Sequence, residues 1–189
     1  MIDASGRIRG RTSLRSTGAE HAQVQPVWTL VAKTAPKGAY RNVLVPIDFS
    51  AESVAAVKAA MSVAPDASIT LLHAYEVPFE GLLRRADVAQ STVEDLRLDA
   101  QADALARLYG IATSHSWPGR RFRSVAVPGA PAPAILNEAF EGGADLIAIG
   151  SRTRSVFERL LVGSVTLRVL AQAHSDVLIA RWPPNTTPS

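Results

Sequence analysis

Five short apolar runs, separated by stretches of helical spacing, constrain this chain more than anything else in it. The runs fall at 42–47, 67–75, 121–127, 145–149 and 177–180. None alternates cleanly between apolar and polar residues, as a strand with one wet face would. Strands that are apolar throughout need cover on both faces, and the segments between them supply it. Ser50 is placed to cap a first helix, on which Val54, Val57 and Met61 recur at helical spacing. A loop with Pro78 and Gly81 leads into a helix of about 20 residues, on which Leu98, Ala102, Leu105 and Tyr109 form one stripe. Pro131 opens a third helix, where a missing N–H costs nothing, and Ile135, Leu136, Ala139 and Phe140 are its expected buried face. Gly142-Gly143 ends it, and a fourth helix is expected over 163–173. The order β-α-β-α-β-α-β-α-β predicts an α/β domain with a parallel sheet, helices on both faces and right-handed crossovers.

Such sheets bind ligands beyond the carboxyl ends of their strands, where the strand order reverses. The first and fourth strands end in Asp48 and Gly150, so both line that crevice if the two strands are neighbours. From Ile149 the chain reads I-G-S-R-T-R-S-V-F-E-R-L-L-V-G-S-V, a buried strand, a loop rich in Arg and Ser, and a helix opened by Gly163-Ser164. The first N–H groups of a helix have no intrahelical partner and carry positive partial charge, which suits an anion. A plain helix cap would read the same way at Gly163-Ser164, and Asp48 would also serve to cap the first helix with Ser50.

The chain is 189 residues long and 47% hydrophobic, enough for one buried domain with tails. It has no cysteine, which removes disulfides, thiolate metal sites and cysteine nucleophiles. No run approaches the roughly 20 apolar residues that span a bilayer, and a cytoplasmic protein without membrane contact is expected. His73 lies on an apolar run and reads as a packing residue, while His115 and His174 are isolated in sequence and show no evident carboxylate partner. No metal-ligand spacing and no nucleophile elbow appears, so the chain reads as a non-enzyme without a metal site of its own.

The pieces V-L-V-P-I-D-F-S, I-T-L-L-H-A, V-P-G-A-P-A-P-A-I-L, A-D-L-I-A-I-G-S-R-T-R-S and G-S-V, in that order, resemble the universal stress protein family over residues 41–182. The resemblance implies a Rossmann-like, five-stranded parallel sheet of order 3-2-1-4-5, of the adenine nucleotide alpha hydrolase-like type. It also implies homodimers built through the last strand, here Val177, Leu178, Ile179 and Ala180. Nucleotide-binding members carry Gly-x-x-Gly, nine residues, then Gly-Ser or Gly-Thr. Here Gly150 and Gly163-Ser164 keep the spacing, but position 153 is Thr where the motif has Gly. Carried over residue by residue, Asp48 and the backbone of Ile47 and Ala74 would face the adenosine end of ATP or AMP. Gly150 would lie near the ribose, and Arg152, Thr153, Gly163, Ser164 and Val165 would surround the phosphates. Mg²⁺ would arrive with the nucleotide, bridging phosphates. Threonine disfavours the positive φ open to glycine, but its hydroxyl and the guanidinium of Arg152 are phosphate donors.

Three readings follow: a stress-response regulator that binds an adenine nucleotide, a nucleotide-free dimeric interaction protein of the same fold, and a slow nucleotide hydrolase with no catalytic constellation behind it. Residues 1–40 form a basic extension, in which Arg7, Arg9, Arg11, Arg15, Lys33 and Lys37 face only Asp3 and Glu20, and 183–189 form a tail. The extension reads as a solvated leader, and no tryptophan forms a stacking platform for nucleic acid in the domain. One short strand, 27–32, stands out in it. The stretch A-E-H-A-Q-V-Q-P-V-W-T-L-V-A-K from Ala19 resembles A-Q-A-H-S-D-V-L-I-A-R from Ala171. A strand at 27–32 would then pair along an edge of the sheet, one candidate being the edge at 177–180, or else be a chance apolar patch in a tail.

Overall fold

The computed structural model describes residues 27–33, 38–76, 90–114, 121–151 and 163–181. Its elements are β1 (Val27–Val31), β2 (Asn42–Pro46), α1 (Ala51–Val63), β3 (Ser68–Tyr75), α2 (Gln90–Ser114), β4 (Phe122–Pro128), α3 (Pro131–Glu141), β5 (Leu146–Ser151), α4 (Ser164–Gln172) and β6 (Asp176–Arg181). The sheet runs β1-β6-β5-β2-β3-β4. From β4 to β6 it is the expected parallel order 3-2-1-4-5, with β2 paired to both β3 and β5.

The sheet has six strands rather than five. β1 lies antiparallel on β6, with Val27 opposite Arg181, Leu30 opposite Leu178 and Val31 opposite Val177. Residues 177–180, expected as an edge for a second copy, therefore have a strand of their own chain beside them. The reason is a strand-forming sequence within reach of an unpaired row of N–H and C=O groups.

Successive strand residues face two separate cores. Val43, Val45, Leu71, Ala148 and Leu178 pack with Ala56, Val57 and Ala60 of α1 and Leu108 of α2. Leu44, Leu72, Ile147 and Ile179 pack with Ile135 and Ala139 of α3 and Val169 of α4. Both strand faces are buried, which is why no strand alternates in sequence.

Four helix residues fall elsewhere than expected, exposed Ala102 among them. Leu98 and Tyr109 are exposed, because α2 turns Val93, Ala104 and Leu108 inward and small alanines sit where the core is close. Tyr109 stands one residue, about 100° of helix, from buried Leu108. Phe140 is exposed for the same reason, next to buried Ala139. The expected caps are present: Ser50 accepts from the Ser53 N–H, Pro131 opens α3, and Gly142 closes it, with Gly143 at φ 60°.

The amino end of the sheet is tied by two carboxylates. Asp145 accepts from the N–H groups of Arg41 at 2.7 Å and Asn42 at 3.1 Å. Asp176, only 7% exposed, accepts from the Lys33 N–H and the Tyr40 hydroxyl, each at 2.7 Å. Burial, that hydrogen bond and the charges of Asp176 and Asp145 raise the Tyr40 pKa well above the ordinary 10.0. The stability that follows is complete below pH 10.0 and drains above it, where an unfolded tyrosine ionises and the folded one resists. Tyr40→Phe is expected to cost about 1 kcal/mol at neutral pH. It is also expected to make the alkaline loss of stability shallower than in the wild type. Urea unfolding from neutral pH to about pH 11 measures both.

Candidate functional site

β2 and β5 diverge at their carboxyl ends, and a cavity of about 420 Å³ opens between them. That volume lies within the roughly 300–1,000 Å³ of small-molecule sites. Ile47, Asp48, Ala74, Gly150, Gly163, Ser164 and Val165 all line it. Arg152 and Thr153, the other two residues singled out from sequence, lie outside the described residues.

Asp48 follows β2 directly. Its Oδ1 accepts from the Ser50 N–H at 3.0 Å and from the Ser50 hydroxyl, which in turn caps α1. Asp48 thus serves the helix cap and borders the cavity at once. Between them, Phe49 has φ 62°, a left-handed conformation that costs a non-glycine residue about 1 kcal/mol. Contacts hold it there: the Arg107 guanidinium of α2 lies 3.7 Å from the Phe49 ring centroid, and the His73 ring is 4.4 Å away. His73 Nδ1 donates to the Ile47 carbonyl at 2.7 Å, because a carbonyl only accepts. The histidine is a packing and positioning residue that buttresses the turn carrying Asp48.

Gly150 has a steric role. A Cβ there would stand 2.4 Å from the Glu52 carbonyl oxygen and 2.7 Å from the Ser53 nitrogen. Only glycine lets the end of β5 pass the first turn of α1 at this distance. Gly163 is the opposite case, since a Cβ there would meet nothing within 4 Å. It precedes α4 without a side-chain cap, and the first helical bond runs from the Leu167 N–H to the Gly163 carbonyl at 2.9 Å. The N–H groups of Ser164, Val165 and Thr166 stand ahead of that bond, at the cavity wall.

Two lining residues went unnoticed in the sequence. Ser151 is 6% exposed and Thr166 is 4% exposed. Neither hydroxyl has a hydrogen-bond partner among the described residues, and both residues line the cavity. The available signal was a polar residue at each of two buried positions: Ser151 at the end of L-I-A-I-G-S, and Thr166 three residues before buried Val169.

Leu72, Ile135 and Ile149 add apolar lining. Chemically the cavity offers an apolar slot beside donors and two acidic residues, Asp48 and Glu52, with no Lys or Arg among the described lining residues. The arrangement suits a ligand that joins a flat apolar group to a hydroxylated or anionic one.

A sequence model of the universal stress protein family matches residues 39–181. The chain belongs to that family. A universal stress protein of Methanocaldococcus jannaschii is 31% identical over 147 residues, covering 76% of this chain and 84% of the relative. One from Mycobacterium tuberculosis strain H37Rv is 32% identical over 143 residues, covering 75% of this chain and 96% of the relative. Among solved structures, a hypothetical protein of M. jannaschii superposes with a TM-score of 0.63 at 23% identity, covering 78% of this chain and all of that one. A universal stress protein of Lactobacillus plantarum gives 0.54 at 24% identity, covering 76% of this chain and 99% of that one. At those identities the likeness is one of fold. Within it, Gly150→Ala is expected to destabilise this chain by about 3 kcal/mol through overpacking, while Gly163→Ala changes stability by less than about 1 kcal/mol. Urea denaturation of the two variants measures the contrast.

Proposed function

We propose that this universal stress protein binds an adenine nucleotide, ATP or AMP, in the β2/β5 crevice and acts as a cytoplasmic stress-response regulator through partners rather than turnover. The supporting observation is the pair of buried hydroxyls, Ser151 and Thr166, beside the first N–H groups of α4 and facing an apolar slot. A buried polar group without a partner costs about 1–3 kcal/mol, and a ligand that satisfies it recovers that cost. In this reading the base lies along the apolar wall, with Asp48 and the backbone of Ile47 and Ala74 at the adenosine end. The ribose passes Gly150, where the end of β5 runs against the first turn of α1. Gly163, Ser164 and Val165 take the phosphates with Arg152 and Thr153, and Mg²⁺ accompanies the longer phosphate chain.

The competing reading, a nucleotide-free interaction protein, rests on Thr153 in the place of the motif glycine. Titration calorimetry with ATP and AMP separates the two. Wild type is expected to bind at least one of them, and Thr166→Val is expected to bind about tenfold more weakly at unchanged fold. Silence from wild type with clear heat from Thr153→Gly would sink the proposal. Steady phosphate release above background would favour the hydrolase reading instead.

A further inference from the structure

The strand at the opposite side of the sheet from β4 belongs to a part of the chain that the family segment, 39–181, does not include. The five parallel strands form the family unit, and β1 is added to them. It covers an edge that would otherwise present the backbone of V-L-I-A, with side chains buried on both faces and no charge in the run. An exposed strand edge of that kind is a template for pairing with another chain. A strand that pairs antiparallel with an identical strand of a second copy makes a closed two-fold interface, because each contact is repeated by symmetry.

The occupant of the edge resembles the strand it covers. V-W-T-L-V-A-K in the first and V-L-I-A-R in the second are both apolar runs ending in a basic residue. β1 pairs antiparallel over five positions, and Leu30 joins the core that holds Leu178. The placement is locked at one end. Asp176, the first residue of β6, has both carboxylate oxygens engaged by the segment that follows β1, through the Lys33 N–H and the Tyr40 hydroxyl. The Lys33 ammonium donates to the Leu170 carbonyl in the last turn of α4, where a cation also complements the helix dipole. The new outer edge is short, and in sequence it is flanked by Pro26 and Lys33, residue types that blunt an edge.

We infer that β1 is an intramolecular cap standing where a second copy of this chain would pair: with β1 in place copies do not associate through β6, and its release opens an antiparallel β6–β6 interface. The cap is independent of what the crevice binds.

The full-length chain tests this directly. Neighbouring N–H groups in a strand point in opposite directions, so the double change Thr29→Pro/Leu30→Pro removes at least one bond to β6 whichever way the strand is turned. Sedimentation velocity on wild type is expected to show a monomer, and the double variant is expected to dimerise with affinity at least about tenfold higher. A wild-type dimer overturns the inference, as does a double variant that stays monomeric at every concentration at which wild type does. A second measurement does not depend on how the proline variant folds. The chain has no cysteine, so Trp28→Cys/Ala180→Cys, at directly opposed positions, reports pairing without background. Oxidation is expected to give a disulfide within one chain and monomer mass on a non-reducing gel. A disulfide between chains overturns the inference, because β1 would then lie on another copy.

Discussion

Where β5 leaves the sheet, Gly150 passes the backbone of Glu52 and Ser53 with no room for a side-chain carbon. Much of the crevice geometry depends on that approach. It brings the first turn of α1 against the end of β5, while the same turn is held to the end of β2 through Ser50 and Asp48. Two neighbouring strands are thereby fixed to one helix terminus. The chain between β2 and α1 has to turn within Phe49, which accepts a left-handed φ because Arg107 and His73 pack on its ring. A side chain on Gly150 would push α1 outward and would move Asp48 with it.

The two ends of the sheet differ in how they treat polar groups. At the amino end, Asp145 and Asp176 receive donors from the chain segments that enter β2 and leave β1. At the carboxyl end, Ser151 and Thr166 are as buried as Asp176 but lack partners among the described residues, and the first N–H groups of α4 open toward the same space. Buried polar groups are normally satisfied, and two without a partner among the described residues around one cavity are the observation on which the proposed binding site rests. The polar asymmetry agrees with the general preference of parallel sheets for ligands beyond the carboxyl ends of their strands.

The fold was legible because its signal is coarse. Runs such as N-V-L-V-P-I need no phase to be recognised as buried strands, and their order with the helices leaves few topologies. Helix faces need phase, and there large side chains misled: Leu98, Tyr109 and Phe140 attract the eye, whereas the tight contacts are made by Ala104, Ala139 and Leu108. Asp48, Gly150 and Gly163-Ser164 were legible as cavity residues because strand ends and glycines mark a switch point. The steric demand on Gly150 was not, since it depends on a helix about 100 residues earlier in the chain. Ser151 and Thr166 were missed because a small polar residue in an apolar run is common and acquires meaning only once its lack of partners is known. The pairing of β1 was visible as an alternative but not decidable, because a five-residue apolar strand has no stability apart from the edge it joins.

Cap and crevice meet at one end of β6. Ser151 is paired with Arg181 in the parallel ladder, and Arg181 is paired with Val27 in the antiparallel one. The latch on β1 is at the other end, where Asp176 holds Lys33 and Tyr40. Strand ends fray first where backbone ladder bonds alone hold them. An opening that begins at the Val27 end begins beside the crevice and runs toward the latch at Asp176. Loss of the first pairs leaves β6 joined to β5, so Ser151 keeps its place at the cavity wall. Full release requires both oxygens of Asp176 to give up the chain segment they bind, a step governed by the latch and separate from anything the crevice holds.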